Sequence, residues 1–123
     1  MDNTGYGDAA KAQAARDGGL TGSDDPFVAY YNGVPRELAE EALRRERGQS
    51  NATYHQPWPL QAHPDVPTKF ILCRDDRLFP ADFFRRLVPE RLGIVPDEIP
   101  GCHCVALSHP KELADQLERY LDA

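Results

Sequence analysis

Thr68-Lys69-Phe70-Ile71-Leu72-Cys73-Arg74-Asp75-Asp76-Arg77-Leu78-Phe79-Pro80 is the stretch that decides the fold class. A short, largely apolar run with β-branched residues gives way to a charged turn that a proline closes. The near-continuous apolar character of Phe70 to Cys73 predicts a strand buried on both faces, as strands of parallel sheets are. Pro80 opens a helical pattern carrying Phe83, Phe84, Leu87 and Val88, and Pro89 predicts a kink or break in it. The scheme then repeats in weaker form. Gly93-Ile94-Val95-Pro96 turns into a second strand near Asp97–Pro100, and Gly101-Cys102-His103 follows it. Ser108 reads as an N-cap with Pro110 inside the first turn. Leu113, Ala114, Leu117, Tyr120 and Leu121 form an amphipathic stripe on the last helix. Strands alternating with helices predict parallel pairing in an α/β layer architecture.

Upstream, order is expected to begin at Pro26-Phe27-Val28-Ala29-Tyr30-Tyr31, and Asn32-Gly33 is a turn signal. Pro35 suits a first helical position, and Leu38, Ala39, Ala42 and Leu43 recur at helical spacing. Gly48 reads as the stop of that helix. Residues 49–67 are a connection punctuated by four prolines, with Trp58 and Leu60 expected to anchor it on something apolar. Residues 1–25 read as a mostly disordered leader. A short helix over Ala9 to Arg16 is conceivable there, although it has almost no apolar face. The resulting order is helix, strand, helix, strand, helix. Two strands do not complete a stable parallel sheet, so the faces of Phe70–Leu72 and of the last helix are expected to need neighbours.

The 123 residues bound the chain to one domain at most. Its 41% hydrophobic and 28% charged content is ordinary globular usage, and eleven prolines and nine glycines gather in the connections. The net charge of −6 disfavours non-specific nucleic acid or anionic membrane as partners. No apolar run approaches the roughly 18 residues of a membrane helix. The polar N-terminus does not read as a secretory signal. Three cysteines, an odd number, make no disulfide framework, so a reducing cytoplasm is the expected setting.

An acid after one strand and a histidine after the next is how part of a hydrolytic triad is presented. A carboxylate beside an imidazole fixes its tautomer and stabilises the imidazolium formed during acyl transfer. Strand ends at the carboxyl edge of an open α/β sheet are also where ligands bind. Residue type alone leaves Asp75 and Asp76 competing for the acid role, and it equally allows a solvated Asp-Asp-Arg turn and an idle loop histidine. His55, His63 and His109 show that histidines are not scarce, and His109, before Pro110, is expected to face solvent.

Val66-Pro67-Thr68 to the C-terminus closely resembles the C-terminal part of α/β-hydrolase-fold proteins. In that family a strand ends in a G-x-D-D-x-x-x-P-like segment whose aspartate four residues before the proline is the triad acid. Here the segment is Arg74-Asp75-Asp76-Arg77-Leu78-Phe79-Pro80, so the resemblance assigns the acid to Asp76. The family's G-G-H-like turn bears the triad histidine. Here it reads Gly101-Cys102-His103, with Cys102 where glycine is usual. Leu107-Ser108-His109-Pro110-Lys111-Glu112-Leu113-Ala114 resembles the family's closing L-S-x-P-x-E-L-A run, and Val34–Gln49 is similar to the region between cap and core. The likeness covers roughly residues 26–123.

The family's nucleophile sits in G-x-S-x-G between a strand and a helix, and no such motif occurs in this sequence. Gly48-Gln49-Ser50-Asn51-Ala52 is only superficially like it: a helix precedes Ser50 and a proline-rich loop follows. Cys102-His103-Cys104 with Cys73 offers soft ligands, but the spacing is wrong for structural zinc and alternate residues of an extended segment point apart. The expectation is therefore a partial α/β-hydrolase fold, two parallel strands with about three flanking helices, over residues 26–123. Asp76 and His103 are its candidate catalytic residues, with no cofactor and no metal. The resemblance implies hydrolysis of an ester or related acyl bond of a small-molecule substrate in a complete enzyme. The chain itself reads as a C-terminal fragment lacking the serine, inactive alone, with a complementary N-terminal half or a second copy as possible partner. The alternative is a non-catalytic interaction module that uses its open sheet edge.

Overall fold

The computed structural model describes residues 4–122, so residues 1–3 of the expected leader and residue 123 lie outside the described residues. Its centre is a sheet of two parallel strands, β1 (Ile71–Cys73) and β2 (Asp97–Ile99), with Ile71 opposite Asp97 and Cys73 opposite Ile99. The ladder runs from Asp97 N–H donating to the Phe70 carbonyl (2.9 Å) to Arg74 N–H donating to the Ile99 carbonyl (3.0 Å). Phe70 and Arg74 therefore turn their backbone groups toward β2. The alternating geometry of a strand aims those of Ile71 and Cys73 at the other edge, where no third strand pairs among the described residues. Leu72 and Ile99 are buried, and with Phe83, Val88, Ala29, Ala39 and Cys102 they make up a small core.

Helix α5 (Ala81–Leu92) connects the strands. It starts directly after Pro80, and Pro89 lies inside it without ending it. Pro89 stands in the last turn, so the bond its missing N–H forfeits lies at the end of the helix, and Gly93 closes the helix at φ +67 by donating to the Pro89 carbonyl (3.0 Å). Arg85 on α5 is bidentate to Glu98 on β2 (Nη2–Oε1 2.6 Å, Nε–Oε2 3.1 Å) and also bonds Asp82 (2.8 Å). That carboxylate pair drives the Arg85 guanidinium up in pKa, and Arg85 holds the Glu98 carboxyl below its ordinary range.

Upstream of the sheet stand α1 (Tyr6–Asp17), α2 (Pro26–Ala29), α3 (Arg36–Arg44) and α4 (Ala52–His55), and after it α6 (Val105–Ser108) and α7 (Pro110–Leu121). Several details depart from the sequence reading. The leader contains α1, capped at both ends by left-handed glycines, Gly5 and Gly18. It is held by tertiary contact and not by an apolar stripe: the Tyr6 ring packs 5.5 Å from both Phe79 and Phe83. Pro35 precedes α3 and is not its first residue. That helix ends at Arg44, well before Gly48, because Arg45 N–H and Glu46 N–H tighten onto the Ala42 and Leu43 carbonyls (3.1 and 3.2 Å).

Trp58 and Leu60, expected to anchor the connection, are instead exposed, Trp58 at 70%. Ser108 is not an N-cap: it ends α6, and α7 follows His109 with no side-chain cap. The α7 stripe is split. Leu113 and Tyr120 turn inward with buried Gln116, whereas Leu117 and Leu121 are 50% and 85% exposed. Positions 113, 116 and 120 share one side of a helix, and 114, 117 and 121 share the next.

Candidate functional site

The site grows from the two turns at the carboxyl ends of β1 and β2. Asp76 N–H donates to the Cys73 carbonyl (3.3 Å), which starts the first turn. Asp76 Oδ1 then accepts from the N–H groups of Leu78 (2.8 Å) and Phe79 (2.9 Å). A carboxylate capping the two amides ahead of it is a self-contained lock on its own rotamer. Its other oxygen, Oδ2, lies 3.1 Å from His103 Nδ1. The Asp76 side chain is 8% exposed and that of His103 is 31% exposed. An ionised carboxylate only accepts, so this contact selects the tautomer with the proton on Nδ1 and leaves a lone pair on Nε2.

The second turn is shaped by Gly101, at φ +134, a conformation that L side chains rarely adopt. A Cβ there would lie 2.6 Å from Val105 Cγ2 and 3.1 Å from His109 Nδ1. Cys102 is fully buried, and its N–H donates to Ser108 Oγ (3.3 Å). Cys104 N–H reaches the Tyr30 carbonyl (3.4 Å). The rings of Tyr30 and Phe79 stand 5.6 and 5.7 Å from the His103 imidazole.

The competing acid, Asp75, goes elsewhere: its Oδ2 accepts from Gly101 N–H (2.9 Å). The structure thus brings Asp76 and His103 together and separates Asp75 from the imidazole. His55 and His63 lie exposed. His109 is half-buried and not solvent-facing as expected, with Nδ1 3.0 Å from Ser108 Oγ. Ser50 is exposed and follows no strand; its Oγ accepts from Ala52 N–H (3.2 Å).

Sequence reasoning missed what holds the acid turn from outside. The Asp75 carbonyl accepts from Asn32 Nδ2 (2.9 Å), the Arg77 carbonyl from Gly22 N–H (3.0 Å), and the Leu78 carbonyl from the Tyr6 hydroxyl (2.8 Å). Arg77 returns a bond to the Val28 carbonyl (3.0 Å). Three carbonyls of one turn are therefore satisfied by the first 32 residues. The signal was Tyr6, the only aromatic residue of the leader.

Burial pushes the Cys73 thiol up to about 11 and raises that of Cys104, so neither is a ready thiolate near neutrality. Among the described residues no group of three or more His, Cys, Asp or Glu side chains is placed to hold a metal ion. A polar hollow of about 310 Å³ borders the acid turn, lined by Asn32, Arg74, Asp75, Asp76 and Arg77 among others, but not by His103.

The chain matches the model of the alpha/beta hydrolase family over residues 2–116, and it belongs to that family. The match begins within the segment that the sequence reading set apart as a leader. No curated protein and no solved structure matches the chain significantly. Among the described residues no helix is long and apolar enough to cross a membrane.

Proposed function

We propose that this chain supplies the acid–base half of an acyl-hydrolase site, in which His103 moves the proton and Asp76 orients it. The observation that carries the reading is the 3.1 Å approach of His103 Nδ1 to a nearly buried Asp76 carboxylate. In the complete site, Nε2 of His103 takes the proton of a serine hydroxyl as that oxygen attacks the carbonyl. It then returns the proton to the leaving group, while Asp76 stabilises the imidazolium between the two steps. The serine and the oxyanion donors come from outside this chain's own motifs, because the sequence has no G-x-S-x-G. The substrate is a small-molecule ester or related acyl compound, and three free cysteines favour a reducing, cytoplasmic setting. The chain alone is catalytically silent.

The test is reconstitution. Combined with a polypeptide carrying the earlier strands and a nucleophile elbow, the chain should hydrolyse a short p-nitrophenyl ester. His103→Ala should abolish that activity. Hydrolysis that survives in His103→Ala contradicts the assignment.

A second reading, a non-catalytic interaction module, is favoured by one observation: the edge of β1 away from β2 has no strand partner among the described residues. Unpaired edges recruit other chains. The two readings separate on size: the module exists as a complex with itself or another protein whether or not a nucleophile is present.

A further inference from the structure

We infer that Asp75 is a positioning residue, a clamp that sets the spacing between the acid-bearing turn and the histidine-bearing turn; the inference rests on the Asp76–His103 pairing proposed above.

The parallel ladder ends with Arg74 N–H on the Ile99 carbonyl, and beyond that point the two chains separate into their turns. Short of the Asp76–His103 contact itself, Asp75 carries the connection further. Its N–H donates to the Gly101 carbonyl (2.9 Å), and its Oδ2 accepts the Gly101 N–H (2.9 Å), so the two residues close a hydrogen-bonded ring. Asn32 Nδ2 holds the Asp75 carbonyl from the third side (2.9 Å). Asp76 follows Asp75 directly and His103 lies two residues beyond Gly101, so this ring is the nearest cross-link to the pair on both chains.

Gly101 makes the clamp necessary. A residue at φ +134 has no side chain to restrain it, and a Cβ is forbidden by Val105. The turn that aims the imidazole therefore pivots on the most permissive residue type. Gly101 N–H needs an acceptor to fix its direction, and a carboxylate gives a stronger bond than a neutral group does. Asp75 also explains the doubled aspartate: one carboxylate faces the imidazole, and the other fixes the backbone that carries it.

The experiment follows the His103 Nδ1 proton and the Gly101 amide by ¹H–¹⁵N NMR in the wild-type chain, Asp75→Ala, Asp75→Asn and the control Asp82→Ala. Asp82 is a comparable exposed acid on α5, bonded to Arg85 and away from Gly101. In wild type, a slowly exchanging Nδ1 proton is expected. Asp75→Ala should speed its exchange about tenfold, as loss of one charge-assisted bond implies. Asp75→Asn, which keeps an acceptor oxygen, should restore most of the protection, and Asp82→Ala should leave it at the wild-type rate. Wild-type exchange in Asp75→Ala overturns the clamp, as does a folded Asp75→Asn no better protected than Asp75→Ala. If Asp75→Ala does not fold, a folded Asp75→Asn decides: a protected Nδ1 proton supports the clamp and an unprotected one overturns it. Absence of the signal from folded wild type removes the Asp76–His103 pairing itself, which is a different failure.

Discussion

Asp76 uses both carboxylate oxygens at once, one on the amides of Leu78 and Phe79 and one toward His103. That division makes the residue sensitive to isosteric change. Asp76→Asn keeps an acceptor but can turn an NH₂ toward Nδ1, which forces the imidazole into the wrong tautomer. In a reconstituted enzyme kcat should fall by on the order of 10³–10⁴, read on a p-nitrophenyl ester, with near-wild-type KM. Cys73 gives a prediction of a different kind. Burial holds its folded pKa at about 11, above the ordinary thiol value of 9.0. The unfolded chain therefore loses its thiol proton first. Stability from this group is complete below about pH 9 and is lost as pH rises through about 11. Urea midpoints should drop over that window in wild type and drop less in Cys73→Ala. The acid and the histidine were legible because motif and spacing survive in the sequence. Residue type alone left two adjacent aspartates open and the family's spacing to Pro80 pointed to Asp76; what stayed hidden was the role of the other, since it depends on Asp75 finding Gly101 across 26 residues of chain.

Helix α1 shows what periodicity does not report. Its alanines allow a helix, but it has no buried residue and no apolar stripe, so nothing in its pattern predicted where it docks. Tyr6 docks it, with its ring on Phe79 and Phe83 and its hydroxyl on the Leu78 carbonyl, and Arg16 adds an exposed contact to Asp82 (3.4 Å) at the other end. Tyr6→Phe should cost about 1 kcal/mol, the net worth of one hydrogen bond, and Tyr6→Ala clearly more, measured by urea unfolding. Equal midpoints for wild type and Tyr6→Ala would mean that α1 does not support the acid turn. The strand–helix–strand unit was readable because apolar run, proline and glycine punctuation agree. The last helix was readable as a helix but not in its orientation. An apolar stripe identifies a face that prefers burial, and here Leu117 and Leu121 remain exposed.

At the scale of the whole molecule, a two-stranded sheet with few buried apolar side chains bears the cost of ordering about 1.5 kcal/mol per residue. Tyr54, Trp58, Val66, Val95, Leu117 and Leu121 stay exposed. The isolated chain should unfold with low cooperativity in urea, and Leu72→Ala, about 2–5 kcal/mol at a fully buried strand position, should abolish the transition. A steep transition that persists in Leu72→Ala would show a larger core than these contacts define. The family's fold was legible from its C-terminal motifs; the participation of the first residues was not, because it consists of backbone carbonyls of one turn meeting donors remote in sequence. The claim beneath all of this is that Asp76 and His103 form one unit at the carboxyl end of the paired strands. Ring-¹⁵N NMR of the histidines tests it most directly. The account predicts that neutral His103 carries its proton on Nδ1 and loses that preference in Asp76→Ala; a proton on Nε2 in the wild type, or a tautomer indifferent to Asp76→Ala, would contradict it.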